Sequence, residues 1–131
     1  GLFDAVLIKD NHIAGVPVHR LADELRNMLT SLPNNPPPRF IEIEVDSPAQ
    51  LAEVLRVPGI DYVLLDNFTL DAMREAVRMR DAAAGGRPLL EASGGVTLDT
   101  IGAIAATGVD RISVGAITHS ATSLDFGLDM A

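Results

Sequence analysis

A chain of 131 residues is long enough for one domain, and its 47% of hydrophobic residues can form a sizeable core. The formal net charge of −8 argues against nucleic-acid binding through clustered Lys and Arg, and the absence of Cys excludes disulfides and thiolate metal sites. No basic-then-apolar signal segment opens the printed sequence, and no apolar run approaches the roughly 20 residues of a membrane span, so we expect a cytoplasmic protein without membrane contact.

The chain begins at Gly1 without a Met and enters a hydrophobic strand almost at once. We therefore expect the 131 residues to be part of a longer protein.

Hydrophobic periodicity predicts strands alternating with helices along the whole chain. Ser47 and Thr69 are predicted N-caps, and Pro58-Gly59, Gly85-Gly86 and Gly108 are predicted helix terminators. The predicted strands are 5–9, 40–45, 62–65, 88–92, 111–114 and a short one within 124–130, and the predicted helices are 17–32, 48–57, 70–84 and 97–107. This alternation indicates βαβ units and a parallel sheet.

Two architectures fit such a pattern, an open doubly wound sheet and a (β/α) barrel. Neither G-x-G-x-x-G nor G-x-x-x-x-G-K-[ST] is present. Polar residues or glycines instead follow each strand, as barrel active sites require. These are Lys9, Glu44 (or Asp46), Asp66, Ser93 and Gly115. We therefore expect an α/β fold that is part of an incomplete TIM-like (β/α) barrel with parallel strands, its early strands absent.

Two glycine-containing segments indicate a phosphate site. Ser93-Gly94-Gly95 follows a strand and precedes a predicted helix, whose N-terminal N–H groups and dipole suit an anion. Ser113-Val114-Gly115-Ala116 ends the next strand. The alternative for the first segment is a tight turn that needs positive φ. His119 could hydrogen-bond the same anion or be an exposed loop residue.

Three acidic residues, Glu42, Glu44 and Asp66, lie in or directly after two neighbouring predicted strands. Glu42 and Glu44 share a strand face because side chains alternate, and Glu44 is nearer the site. Glu42 is then the partner of a buried cation, unless the strand is an edge with a solvated acidic face. Asp66 could be a metal ligand, a base or a turn cap. Together, Glu44 and Asp66 could hold Mg²⁺ through water and substrate phosphates.

The basic residues fall into two groups, a lysine at a strand end and three arginines on a predicted helix. Lys9 directly follows a buried strand, where an unpaired charge is costly, which favours a functional role over a lysine that reaches solvent. Arg74, Arg78 and Arg80 are expected to form a solvated helix face with Glu75 and Asp81.

Five segments in order resemble one family. They are Leu7–Ile13, Ile41–Asp46, Leu64–Asn67, Glu91–Gly95 and Ile112–Ser120. The chain is similar in these segments, and over nearly its whole length, to quinolinate phosphoribosyltransferases (carboxylating nicotinate-nucleotide pyrophosphorylases).

The resemblance implies an enzyme of de novo NAD synthesis. Quinolinate and phosphoribosyl pyrophosphate (PRPP), with Mg²⁺, would give nicotinate mononucleotide, pyrophosphate and CO₂. It also implies an absent N-terminal α/β domain and a homodimer or higher homo-oligomer. The 131 residues would be the C-terminal portion of the phosphoribosyltransferase barrel domain.

The resemblance also implies roles for single residues. Glu44 and Asp66 would hold the metal and face the ribose and pyrophosphate, and Lys9 would offset substrate negative charge. The 5′-phosphate would be held by Ser93, Gly94, Gly95, Gly115, Ala116 and His119. The family's Arg-rich segments, which bind the quinolinate carboxylates, have no counterpart here, so the isolated chain is expected to be inactive.

Three other possibilities stay open at this point. A ModD-like paralogue resembles the same barrel, and another phosphate-binding barrel enzyme shares the glycine-rich site. The third is a non-catalytic partner or oligomerisation unit, which would not need a lysine and two carboxylates around one phosphate.

Overall fold

The computed structural model describes residues 5–33, 37–114 and 123–125. Its centre is one six-stranded sheet whose first five strands are parallel and alternate with helices. The strands are β1 (Ala5–Ile8), β2 (Phe40–Val45), β3 (Tyr62–Asp66), β4 (Leu89–Ser93), β5 (Arg111–Ser113) and β6 (Ser123–Asp125). The α-helices are α1 (Asp10–Ile13), α2 (Leu21–Thr30), α3 (Pro48–Val54), α4 (Leu70–Ala82) and α5 (Ile101–Ala105), with a 3-10 turn at Val18–Arg20.

The order of the strands decides between the two candidate architectures. Strands β1 to β5 pair as parallel neighbours in sequence order, and β6 adds to β5 in antiparallel orientation. A doubly wound sheet reverses its strand order at one point, whereas right-handed crossovers between sequential strands place every helix on one face. The arrangement is that of a barrel wall. Because β2 lies between β1 and β3, the edge-strand interpretation of Glu42 and Glu44 is wrong.

The two faces of the sheet differ in burial. Residues Ile43, Val45, Val63, Leu65 and Ile112 face the helices and are completely buried. On the opposite, inner face, Leu7, Phe40 and Leu89 are 45%, 37% and 37% exposed. Within the described residues, no helix is long and apolar enough to cross a membrane.

Two loops that lead into strands share one construction. Gly59-Ile60-Asp61 precedes β3 and Gly108-Val109-Asp110 precedes β5. In both, the glycine has positive φ and the aliphatic residue is buried. The Asp61 carboxylate accepts from the Ile41 N–H at 2.8 Å, and the Asp110 carboxylate accepts from the Leu90 N–H at 2.8 Å. The aspartate therefore fixes its own strand to the neighbouring one.

The predicted arginine face of α4 is correct at two positions and wrong at the third. Arg74 and Arg78 form exposed ion pairs with Asp71 and Glu75. Arg80 is only 8% exposed. Its guanidinium donates to Asp110 Oδ2 at 2.6 Å and to the Pro88 carbonyl at 3.0 Å, because this side of α4 faces the starts of β4 and β5.

Most of the helices in the structure are shorter than the predicted ones. Ser47 and Thr69 cap α3 and α4 as predicted, accepting from the Gln50 and Ala72 N–H groups. The predicted helix 97–107 is regular only over Ile101–Ala105, because Thr97 and Thr100 form a hydrogen-bonded turn before it.

Candidate active site at the carboxyl ends of the strands

The chemistry-bearing residues lie on the inner face of the sheet and at its carboxyl edge. Strand register aligns Glu42 with Tyr62, Glu91 with Arg111, and Asp66 with Ser93. Since residues two apart share a face, all of these side chains belong to the inner face. The period-two prediction for Glu42 and Glu44 is confirmed.

A cluster of charged side chains occupies the middle of the inner face. Glu91 is 6% exposed, and its Oε1 lies 3.6 Å from Arg111 Nε, a buried atom without a hydrogen-bond partner. The Arg111 guanidinium also stacks over the Tyr62 ring at 4.8 Å from the ring centre. Burial and the neighbouring Glu91 carboxylate raise the pKa of Glu42, while Arg111 opposes the rise. Glu42 therefore has a cation nearby, as the sequence led us to expect, but Arg111 is only partly buried and also faces Glu91.

Glu44 and Asp66 stand closer to the carboxyl edge. Glu44 is paired in register with Leu64, two residues before Asp66 on the adjacent strand. Strand spacing and rise put the two Cα atoms about 8 Å apart. Both residues are half-buried and engaged with neighbouring groups. Since Thr69 caps α4, Asp66 is not the cap of that helix.

The carboxylates at this edge suit a cation that takes only some of its ligands from the protein and the rest from water and substrate. The described residues contain no group of three or more His, Asp or Glu side chains placed to hold a metal ion. Mg²⁺ commonly takes one or two protein carboxylates and completes its shell with water and substrate phosphates. Glu44 and Asp66 are oxygen donors of the type that such a site uses.

The Ser93-Gly94-Gly95 turn lies against the end of β3. Gly94 and Gly95 have φ of 79° and 66°, so the tight-turn requirement for glycine is real. Asn67 is also left-handed, with φ of 60°, and its N–H donates to the Ser93 carbonyl at 2.8 Å. The turn and the Asp66-Asn67 corner therefore form one structural unit.

The expected contribution of a helix dipole is wrong for this turn. Helix α5 has five residues and begins at Ile101, six residues after Gly95. A dipole acts within its first turn, so α5 is too short and too distant to act on an anion at Ser93. Any phosphate site here depends on the backbone and hydroxyl of the turn itself.

Lys9 directly follows β1 at the same edge but is exposed, so the desolvation argument made from sequence does not apply to it. Its backbone N–H donates to His12 Nδ1 at 3.0 Å, which leaves the proton of a neutral imidazole on Nε2. Gly115, Ala116 and His119 lie outside the described residues.

Two participants were not assigned from sequence. Glu91 and Arg111 occupy the same alternating positions in β4 and β5 that singled out Glu42, so the period-two rule could have found them. Asn67 was expected near the site, but its left-handed backbone gave no sequence signal, because it is a property of the folded corner.

The sequence also matches an established family model. Residues 1–129 match the model described as quinolinate phosphoribosyl transferase, C-terminal domain. The chain belongs to the quinolinate phosphoribosyltransferase family. The resemblance inferred from the five segments is thereby confirmed.

Individual members of the quinolinate phosphoribosyltransferase family agree with this assignment. The chain is 44% identical over 130 residues to the carboxylating nicotinate-nucleotide pyrophosphorylase of Mycobacterium leprae, covering 99% of the chain and 43% of that protein. It is 36% identical to quinolinate phosphoribosyltransferase [decarboxylating] 1 of Nicotiana glauca, covering 98% and 39%. The solved nicotinate-nucleotide pyrophosphorylase of Ehrlichia chaffeensis matches with a TM-score of 0.66 at 38% identity, covering 95% of the chain and 42% of that structure.

The chain thus spans about two fifths of the length of these relatives. The fold prediction is confirmed, since the five parallel strands and their helices are the C-terminal part of the family's structure.

Proposed function

We propose that these residues form the barrel part of a longer enzyme that makes nicotinate mononucleotide from quinolinate and PRPP. Pyrophosphate leaves the ribose as the pyridine nitrogen bonds to it, and CO₂ leaves the ring as a proton takes its place. The observation that carries the proposal is that an acidic pair and a glycine turn meet at one edge of the sheet, with Gly94 directly against Asp66.

The acidic pair suits the charge that develops in this reaction. Breaking the anomeric C–O bond places positive charge on the ribose, which nearby carboxylates stabilise electrostatically. We assign that role to Glu44 and Asp66, together with the holding of Mg²⁺. The metal, when bound, neutralises charge on the leaving pyrophosphate.

The remaining predicted site residues serve binding. Ser93, Gly94 and Gly95 would hold the 5′-phosphate, joined by Gly115, Ala116 and His119 from the following strand end. Lys9 is exposed at the same edge and can pair with a carboxylate or phosphate of the substrates. Loss of the 2-carboxylate is favoured once the ring nitrogen is glycosylated and cationic, so the protein has mainly to orient and desolvate it.

The proposal extends to the setting of the enzyme. We propose a cytoplasmic homodimer or higher homo-oligomer that acts on small molecules without nucleic-acid or membrane partners. The absence of Cys is compatible with a reducing compartment, and the net charge of −8 argues against nucleic-acid binding. The homo-oligomer is proposed from the family resemblance.

The test is an assay of the longer protein that contains these residues. With quinolinate, PRPP and Mg²⁺ it should form nicotinate mononucleotide, pyrophosphate and CO₂ in equal amounts. Glu44→Gln and Asp66→Asn should each lower kcat/KM by about 10²- to 10³-fold, because each removes a charge aimed at the developing cation.

Matched controls are available on the outer surface. Glu75→Gln and Asp71→Asn make the same chemical changes in exposed ion pairs of α4 and should leave the rate unchanged. A protein that binds PRPP but forms no nicotinate mononucleotide would reject the quinolinate reaction and favour a ModD-like or other phosphate-binding barrel.

A further inference from the structure

Gly94 makes closer contact with the end of β3 than its neighbour in the turn. A Cβ added at Gly94 would lie 3.1 Å from Asp66 Oδ1, 3.2 Å from the Asn67 nitrogen and 3.4 Å from the Asn67 Cα. The first two separations are shorter than ordinary van der Waals contact, and the third lies at its lower limit. Gly94 therefore has no room for a side chain beside the Asp66 carboxylate.

Of the three atoms, the carboxylate oxygen is the one able to move. The Asn67 backbone is held by its 2.8 Å hydrogen bond to the Ser93 carbonyl, in the residue just before Gly94. The Asp66 side chain can rotate about its own bonds. The expected response to a Cβ at Gly94 is therefore a displacement of the Asp66 carboxylate.

Gly95 provides a natural comparison within the same turn. Its φ of 66° is left-handed like the 79° of Gly94, so a Cβ strains the backbone at both positions. A Cβ at Gly95, however, would have Asn67 Oδ1 at 3.5 Å as its nearest neighbour, which is ordinary contact. The two alanine variants share the strain and differ in the displacement of Asp66.

We propose that Gly94 is a positioning residue for Asp66, so that the phosphate turn fixes where the carboxylate stands. The expected kinetic effects rest on the proposed function. The crowding between Gly94 and Asp66 does not depend on it. One of the two glycines thus has a second role. Both belong to the binding of the phosphate, and Gly94 also acts on the ribose and pyrophosphate through Asp66.

Kinetics of the longer protein give the first test. Gly94→Ala should lower kcat by up to about 10²-fold, since a shift near 1 Å of a reacting group has effects of that size. Gly95→Ala should act mainly on the KM for PRPP. In the Asp66→Asn background, adding Gly94→Ala should cause little further loss of kcat, because the lost group is the same one. If Gly94→Ala lowers kcat by the same factor in the Asp66→Asn background as in the wild type, the proposal is overturned.

A stability cycle tests the geometry without reference to activity. Thermal unfolding is measured for the wild type, Gly94→Ala, Asp66→Ala and the double variant, with Gly95→Ala as the strain control. Asp66→Ala removes the crowded oxygen, so the loss of Tm caused by Gly94→Ala should shrink in that background toward the loss caused by Gly95→Ala. An unchanged loss would overturn the proposal.

The two tests separate the possible failures. If Gly94→Ala fails to fold, the double variant should recover folding, and failure to recover would count against the contact with Asp66. If the wild type forms no nicotinate mononucleotide, the proposed function fails while the stability cycle still decides the positioning role.

Discussion

Glu42 is the residue whose charge state depends most clearly on the fold. Its carboxylate is desolvated on the inner face and stands near the carboxylates of Glu91 and Glu44, with Arg111 as the compensating cation. Tyr62 lies beside it in register. Since the pKa of Glu42 is raised above its ordinary 4.5, the folded state retains a proton that the unfolded chain has lost.

The direction of the pH effect follows from this shift. The contribution of Glu42 to stability is fully present below pH 4.5 and is lost as the pH rises through the folded-state pKa. Above pH 4.5, folding must either keep a proton on Glu42 or accept its charge in a place that favours the neutral form, and both cost free energy.

Replacing Glu42 by the neutral, similarly shaped Gln should therefore stabilise the protein at pH 7 and give little gain at pH 4. Urea unfolding between pH 4 and 8 measures this as a pH-dependent difference in the free energy of unfolding. Glu75→Gln, in an exposed ion pair with Arg78, should show no such gain. Parallel pH profiles of wild type and Glu42→Gln would contradict the assignment.

At the scale of elements, the fold repeats one way of starting a strand. The Asp61 and Asp110 carboxylates both accept from a backbone N–H of the preceding strand, and both aspartates also donate their own N–H back to it. Asp110 differs because Arg80 of α4 binds its Oδ2 at 2.6 Å. That ion pair connects a helix to the start of the strand that carries Arg111.

The Arg80 side chain is 10% exposed, and the side chain of its partner Asp110 is 18% exposed. Although burial by itself disfavours the charged form, hydrogen bonds to Asp110 and Asp81 leave the pKa of Arg80 raised. Arg80→Met should destabilise the protein by about 3 kcal/mol, because it leaves a partly buried carboxylate without its cation. Chemical denaturation would measure the change.

Arg78→Met, on the same helix, is the matched control and should change stability by no more than about 1 kcal/mol, since its ion pair with Glu75 is exposed. Equal effects of the two substitutions would mean that Arg80 contributes nothing through its buried contacts.

At the scale of the whole molecule, the described sheet has an inner face that is only partly covered. Leu7, Phe40 and Leu89 are exposed on it, and β1 has a parallel neighbour on one side only among the described strands. Exposed apolar surface and an unpaired strand edge both favour association.

We therefore expect the 131-residue chain, purified alone, to self-associate as its concentration rises and to lack turnover. Sedimentation velocity and the nicotinate mononucleotide assay measure the two properties. Leu7→Lys should reduce the association by placing a charge on the exposed edge strand. A monomeric chain would contradict the first expectation, and measurable turnover would contradict the second.

The sequence by itself determined the elements, their alternation and the face that each strand residue occupies. These follow from local rules: periods of 2 and 3.6, caps at Ser47 and Thr69, and polar residues where strands end. The same rules singled out Glu44, Asp66 and Ser93, and the order of five such segments sufficed to recognise the family.

Only the tertiary structure decided which of these residues touch. The burial of Arg80 depends on what α4 packs against, and the sharing of Arg111 between Glu42 and Glu91 depends on register across four strands. Because α5 is short and begins at Ile101, its dipole does not act on the Ser93-Gly94-Gly95 turn. The closeness of Gly94 to Asp66 is likewise visible only in the folded chain. Contacts between residues about 30 positions apart have no local signal, because they are set by how the strands stack side by side.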